Sequence, residues 1–117
     1  MIEAQLIKRH KRIRKKLIGS AEKPRLSVHR SLLNLNVQLV DDYAGKTLLS
    51  RSTLDPHFRK QVKTGGNVEA AKQFGRFLAD EMKKKNFKKV VFDRGGFLFH
   101  GRVKALAESL REHGIEF

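Results

Sequence analysis

The chain predicts an α/β fold: a three-stranded antiparallel meander, a crossover helix, a parallel fourth strand and a C-terminal helix, preceded by a basic N-terminal extension. Three observations carry this. Apolar and polar residues alternate between Arg25 and Ser52, the period of half-buried strands. From Asn67 to Lys85 the apolar positions return every three or four residues, the period of a helix. Val90-Val91-Phe92 is a short unbroken apolar run after that helix, which suits a strand covered on both faces. At 117 residues one domain is expected, with 1–22 as the extension and 23–117 as a single α/β unit.

Each element has its own signature. Residues 3–18 carry seven cations, with a thin apolar stripe of Ile2, just before them, Leu6, Ile13 and Leu17. Like charges this dense repel one another, so a helix is expected there only on a partner. Gly19-Ser20 ends it. From Arg25 to Ser31, Leu26 and Val28 take one face while Arg25, Ser27, His29 and Ser31 take the other. Leu35, Val37 and Leu39 then alternate with Asn34, Asn36 and Gln38. Asp41-Asp42-Tyr43-Ala44-Gly45 is a turn, and Lys46 to Ser52 is a third strand. Asp55 to Gly66 reads as a mobile polar loop. Asn67 caps the crossover helix, which buries Ala71, Phe74, Leu78 and Met82, with Gly75 between them. Lys83, Lys84 and Lys85 complement its dipole. A strand reached through a crossover lies parallel to its neighbour. The last helix opens with His100, Arg102 and Lys104 and buries Val103, Leu106, Ala107 and Leu110. Gly114 stops it, and Ile115 and Phe117 pack back.

The charge balance bounds the function. There are 26 Lys and Arg against 12 Asp and Glu, a net +14. Residues 1–30 hold ten of those cations against Glu3 and Glu22 alone, so they carry +8. Clustering of this kind is unfavourable unless a polyanion uses it, with counterion release supplying affinity. A body of roughly 90 residues supports a modest core and no large buried active site. The apolar runs are too short to span a membrane. Without cysteine, disulfides and thiolate zinc sites are excluded. The basic N-terminus superficially resembles a transit peptide, but it is Lys-rich and contains Glu3.

Candidate chemistry is sparse. The polar face of Arg25, Ser27, His29, Ser31, Asn34, Asn36 and Gln38 can meet RNA or water. It lacks the aromatic residues that stack loose bases, which favours recognition of RNA shape and backbone. Asp41, Asp42, Glu69 and Asp93 admit a metal-dependent nuclease reading, but the first two suit a turn and Asp93 suits an ion pair with Arg94. The histidines (His10, His29, His57, His100 and His113) lack metal-ligand spacing. Gly95-Gly96 is a sharp turn and not a phosphate loop of known pattern. Arg94, His100 and Arg102 sit at a strand's end and a helix's start, where phosphate is readily held. No enzyme, cofactor or metal is expected, and the free protein is expected to be a monomer.

Pro24-Arg25-Leu26-Ser27-Val28, Asp41-Asp42 through Gly45-Lys46-Thr47-Leu48, Asn67-Val68-Glu69-Ala70-Ala71 and the block 90–117 resemble bacterial large-subunit ribosomal protein L-eighteen over nearly all of residues 12–117. The resemblance implies a core with ribonuclease-H-like topology and no catalytic site. It implies a cytoplasmic ribosomal protein that binds 5S rRNA and helps seat it against 23S rRNA in the central protuberance, beside neighbouring ribosomal proteins. It places RNA contacts on Lys8, Arg9, Lys11, Arg12, Arg14, Lys15 and Lys16, on Arg25, Ser27, Arg30 and Ser31, and on Arg94, His100 and Arg102. Two stretches depart from the family pattern. Leu33 to Gln38 stand where a Lys-His-Ile-Tyr-Ala-Gln-like run is usual. Phe97-Leu98-Phe99 stand where tyrosine and a long polar residue are usual. The alternative from the residues alone is a generic basic RNA-binding or annealing module without 5S preference.

Overall fold

The computed structural model describes residues 17–94 and 96–117. Strands β1 (Arg25–Arg30), β2 (Leu35–Asp41) and β3 (Lys46–Ser52) come first. A short helix α1 (Pro56–Arg59), the long α2 (Val68–Lys84), strand β4 (Val91–Asp93) and helix α3 (Gly101–Glu112) follow. The sheet order is β3-β2-β1-β4, antiparallel except for β4, which runs parallel to β1. The expected α/β architecture is the observed one.

Register follows from the alternation. Leu26 lies opposite Leu39 and Val28 opposite Val37, so one face of the β1–β2 pair is apolar at its centre. Both long helices cover that face. Leu26, Val28, Leu35, Val37 and Leu39 meet Phe74, Leu78, Met82, Leu106 and Leu110 in one buried cluster. Between β2 and β3 the register slips, Leu39 facing Leu49 and Val40 facing Thr47, so Leu48 is the extra residue of a bulge. The turn that follows β2 is built by Asp41, whose Oδ1 accepts from the N–H of Tyr43 (3.0 Å) and Ala44 (3.2 Å).

Helix ends obey local chemistry. Asn67 Oδ1 accepts from Ala70 N at 2.7 Å, the expected cap. Both long helices stop in the same motif. Past α2, Asn86 turns left-handed (φ 64°), with Asn86 N donating to Lys83 O and Phe87 N to Met82 O. Past α3, Gly114 (φ 95°) does the same, Ile115 N donating to Leu110 O. The chain then returns to the sheet. Glu116 N donates to Lys88 O and Val90 N to Glu116 O, while Phe117 stacks on Phe92 with 5.0 Å between ring centres. The C-terminus thereby protects one end of the edge strand β4.

One segment differs from its expectation. Residues 55–66 are not a free loop. Asp55 Oδ1 accepts from His57 N at 2.9 Å, Pro56 opens α1, and Phe58 is buried against Phe74 and Phe77 with ring centres 5.4 and 5.7 Å away. One buried aromatic side chain is worth roughly 1.5–3 kcal/mol, enough to hold the segment down.

Helices α2 and α3 pack closely where Gly75 meets Ser109. A Cβ on Gly75 would lie 2.5 Å from both Cβ and Oγ of Ser109, whose hydroxyl donates to Lys72 O. Gly75→Ala is therefore expected to lower unfolding free energy by about 1–3 kcal/mol through overpacking, despite alanine's better helix propensity. Urea denaturation measures it; an unchanged or higher midpoint would show that the helices separate freely.

Candidate nucleic-acid interface

The sheet face away from the helices carries Ser27, His29, Asn36 and Gln38, with Ser50 opposite Gln38 and Ser52 opposite Asn36. These groups are half-buried or exposed. The exception on this face is Arg25, which is only 6% exposed. Its Nε and Nη2 donate to the two carboxylate oxygens of Asp42 at 3.0 and 3.2 Å, and its Nη1 donates to Asp93 Oδ2 at 2.9 Å. Burial alone would lower its pKa. The hydrogen bonds and charge of Asp42, then those of Asp93, outweigh it and hold the pKa above its ordinary value. The expected exposed placement of Arg25 is thus corrected: its guanidinium is turned onto two carboxylates. The ion pair expected between Asp93 and Arg94 is also corrected, since Asp93 pairs with Arg25, 68 positions away.

These contacts engage three of the four carboxylates that admitted a nuclease reading. Asp41 holds a turn, and Asp42 and Asp93 hold Arg25. Among the described residues no three His, Asp or Glu gather as metal ligands would.

A second group of cations collects at the other end of β1, about 17 Å along it. Arg102, in the first turn of α3, reaches three backbone carbonyls: Gly65 O at 3.1 Å, Asn34 O at 3.4 Å and Ser31 O. It ties the β1–β2 turn to the segment before α2. Burial lowers its pKa from the ordinary value, and the charge of Arg30 adds to that. Arg30 itself lies over the ring of Phe97, 5.0 Å from its centre, and His29 meets the ring edge-on at 6.0 Å. Ser31 is exposed and exchanges hydrogen bonds with Asn34. His100 occupies the cap position of α3, exposed and without a side-chain capping bond. Arg94 is half-buried in the turn leading there. The contacts of Arg102 also show that α2 and α3 both begin at this end, so two helix dipoles point their positive ends at it.

Of the residues singled out from sequence, Arg30, Ser31, Arg94, His100 and Arg102 therefore share one end. Ser27 sits mid-face, and Arg25 is buried at the opposite end. Lys8, Arg9, Lys11, Arg12, Arg14, Lys15 and Lys16 lie outside the described residues. Two participants escaped sequence reasoning. Arg59 Nη2 donates to Asn34 Oδ1 at 2.7 Å, adding a cation to this end through α1. Thr53, fully buried, donates to the same oxygen at 2.9 Å and accepts from Leu35 N. The Asp-Pro start of α1 was the one available sign of the first.

The arrangement is an uncharged polar sheet face with a group of cations at one end, on an α/β body in which Asp41, Asp42 and Asp93 are held in structural bonds. Such a surface suits a polyanion. The sequence pattern of ribosomal L18 of archaea, bacteria, mitochondria and chloroplast matches residues 2–117. Similar proteins include the large ribosomal subunit protein uL18 of Ruminiclostridium cellulolyticum, 51% identical over 95% of this chain and 91% of that one. That of Dictyoglomus thermophilum is 54% identical over 93% and 89%, and that of Thermotoga petrophila 51% over 97% and 93%. The chain belongs to the ribosomal L18 family. It is a large-subunit ribosomal protein, resident in the ribosome with rRNA and other ribosomal proteins, and not an enzyme.

Removing Arg25 would strand two carboxylates. Arg25→Leu is expected to cost about 3–5 kcal/mol of stability. Arg25→Lys recovers only part of it, because one ammonium cannot reproduce the two-pronged bond to Asp42. Thermal or urea unfolding of both variants checks this; equal stability of Arg25→Lys and the parent would contradict it.

Proposed function

We propose that the protein binds 5S rRNA and helps attach it to 23S rRNA in the central protuberance of cytoplasmic ribosomes, next to the ribosomal proteins of the 5S complex. The observation that carries this is family membership extending over residues 2–117, the basic segment included. The charge distribution supports it. The segment 8–16 supplies phosphate neutralisation, and Arg30, Ser31, Arg94, His100 and Arg102 supply a second anion-holding region around two helix starts. The uncharged face with Ser27 supplies hydrogen-bond partners for backbone and 2′-hydroxyl groups. Arg25 serves this surface from beneath.

Titration of the purified protein into labelled 5S rRNA near physiological salt, with excess tRNA as competitor, tests the reading. Binding that survives tRNA supports it; binding that tRNA removes leaves a generic basic module. If the seven cations between Lys8 and Lys16 engage duplex phosphates, the slope of log K against log salt is about −6. A variant lacking residues 1–16 should show a much shallower slope and weaker binding. A slope near −2 for the intact protein would refute the role given to the basic segment.

A further inference from the structure

Strands β1, β2 and β3 contain no aromatic residue besides His29, yet an aromatic ring reaches their margin from outside. Strand β4 ends at Asp93, opposite Ser27, so it does not pair the last residues of β1. The chain then turns, Phe97 N donating to Arg94 O at 3.2 Å, and the ring of Phe97 takes the place beside His29 and Arg30. Neighbouring strand residues point to opposite faces, so a ring that meets both lies at the end of β1 rather than on either face. His29 meets it edge-on, and the Arg30 guanidinium lies over it, 5.0 Å from its centre. Phe97 is half-buried, whereas His29 and Arg30 are exposed. Among the described residues no carboxylate pairs with Arg30. The ring steadies its guanidinium instead. A guanidinium plane stacks on nucleic-acid bases as it does on aromatic rings, and the side of Arg30 away from Phe97 is where a second flat group can lie.

We infer that Arg30 is a stacking platform for one unpaired base of the bound RNA, with Phe97 as the positioning residue beneath it. This rests on the proposed 5S rRNA reading, in which Arg30 is an RNA contact. A phosphate contact asks only for charge, and a charge needs no ring under it. A base asks for a plane held in place, which is what the ring supplies. The neutral sheet face then meets backbone and hydroxyl groups, while one splayed-out base fixes the register at the end of β1.

The test compares the full-length parent, Arg30→Lys, Phe97→Leu and the double variant. Each is titrated against 5S rRNA, tRNA and a fully paired RNA duplex of similar length. Arg30→Lys keeps the charge and removes the plane; Phe97→Leu keeps apolar bulk and removes the ring. Each is expected to lose roughly tenfold in affinity for 5S rRNA. The salt slope is expected to stay as it was, as is binding to the duplex, which offers no unpaired base. The double variant is expected to lose little more than either single one, since both act on one stack. Arg30 is exposed, so Arg30→Lys leaves the fold intact and reads the inference even where Phe97→Leu loosens the turn. Arg30→Lys binding 5S rRNA as tightly as the parent would overturn the inference, and so would an equal loss on the duplex. A parent with no preference for 5S rRNA over tRNA would overturn the functional reading itself, and the inference with it.

Discussion

Everything on the open side of this sheet is arranged around one buried cation. A guanidinium taken out of water is strongly unfavourable unless its donors are met, and Arg25 sits in the first position of the central strand pair, between β2 and β4. Its partners therefore have to come from both neighbours: Asp42 from the turn after β2 and Asp93 from the end of β4. Satisfying Arg25 fixes where β2 ends, where β4 ends, and where the basic segment joins the body through Gly19.

The cluster also explains how charge is partitioned. Arg25 with Asp42 and Asp93 contributes no free positive charge to the sheet face, and Ser27, Asn36, Gln38, Ser50 and Ser52 contribute none. Cations are displaced to the ends, where Arg30 is steadied by the ring of Phe97 and Arg102 by three carbonyls. Spreading them relieves mutual repulsion in a body too small to absorb strain. On the helix side, charges pair locally instead: Arg51 with Glu81, and Lys104 with Glu108.

Much of the fold was legible because its signals are local. The alternation of Leu26, Val28, Leu35, Val37 and Leu39 states which face is buried, and Asn67 states where a helix begins. What escaped was set by distance along the chain. Alternation assigns Arg25 to the polar face but cannot say what covers that face, and the covering groups come from residues 19, 42 and 93. Asp93 invited pairing with its neighbour Arg94, yet an adjacent residue in a strand points to the opposite side. Helix α1 is a single turn, too short to show a period, and Phe58 alone betrays that it is anchored. Arg102 is recognisable as a cation at a helix start, but the carbonyls it gathers belong to two distant loops.

Charge alone does not require a body of this kind; a basic peptide neutralises phosphates as well. A rigid sheet becomes useful when groups of modest individual strength must act in register. Hydroxyls and amides spaced by the sheet's own repeat, about 6.6 Å along a strand and 4.8 Å across it, hold hydrogen-bonding groups in a lattice. That lattice meets an A-form groove or backbone only in certain orientations. In the proposed complex the cations around Arg30 and Arg102 supply affinity, and the neutral face supplies the penalty for a poor fit. Polar groups left unpaired against RNA cost about 1–3 kcal/mol each, so discrimination follows from having few charges on the face and many at its margins. Replacing those serines and amides with lysine would strengthen attraction to every RNA and weaken the distinction among them.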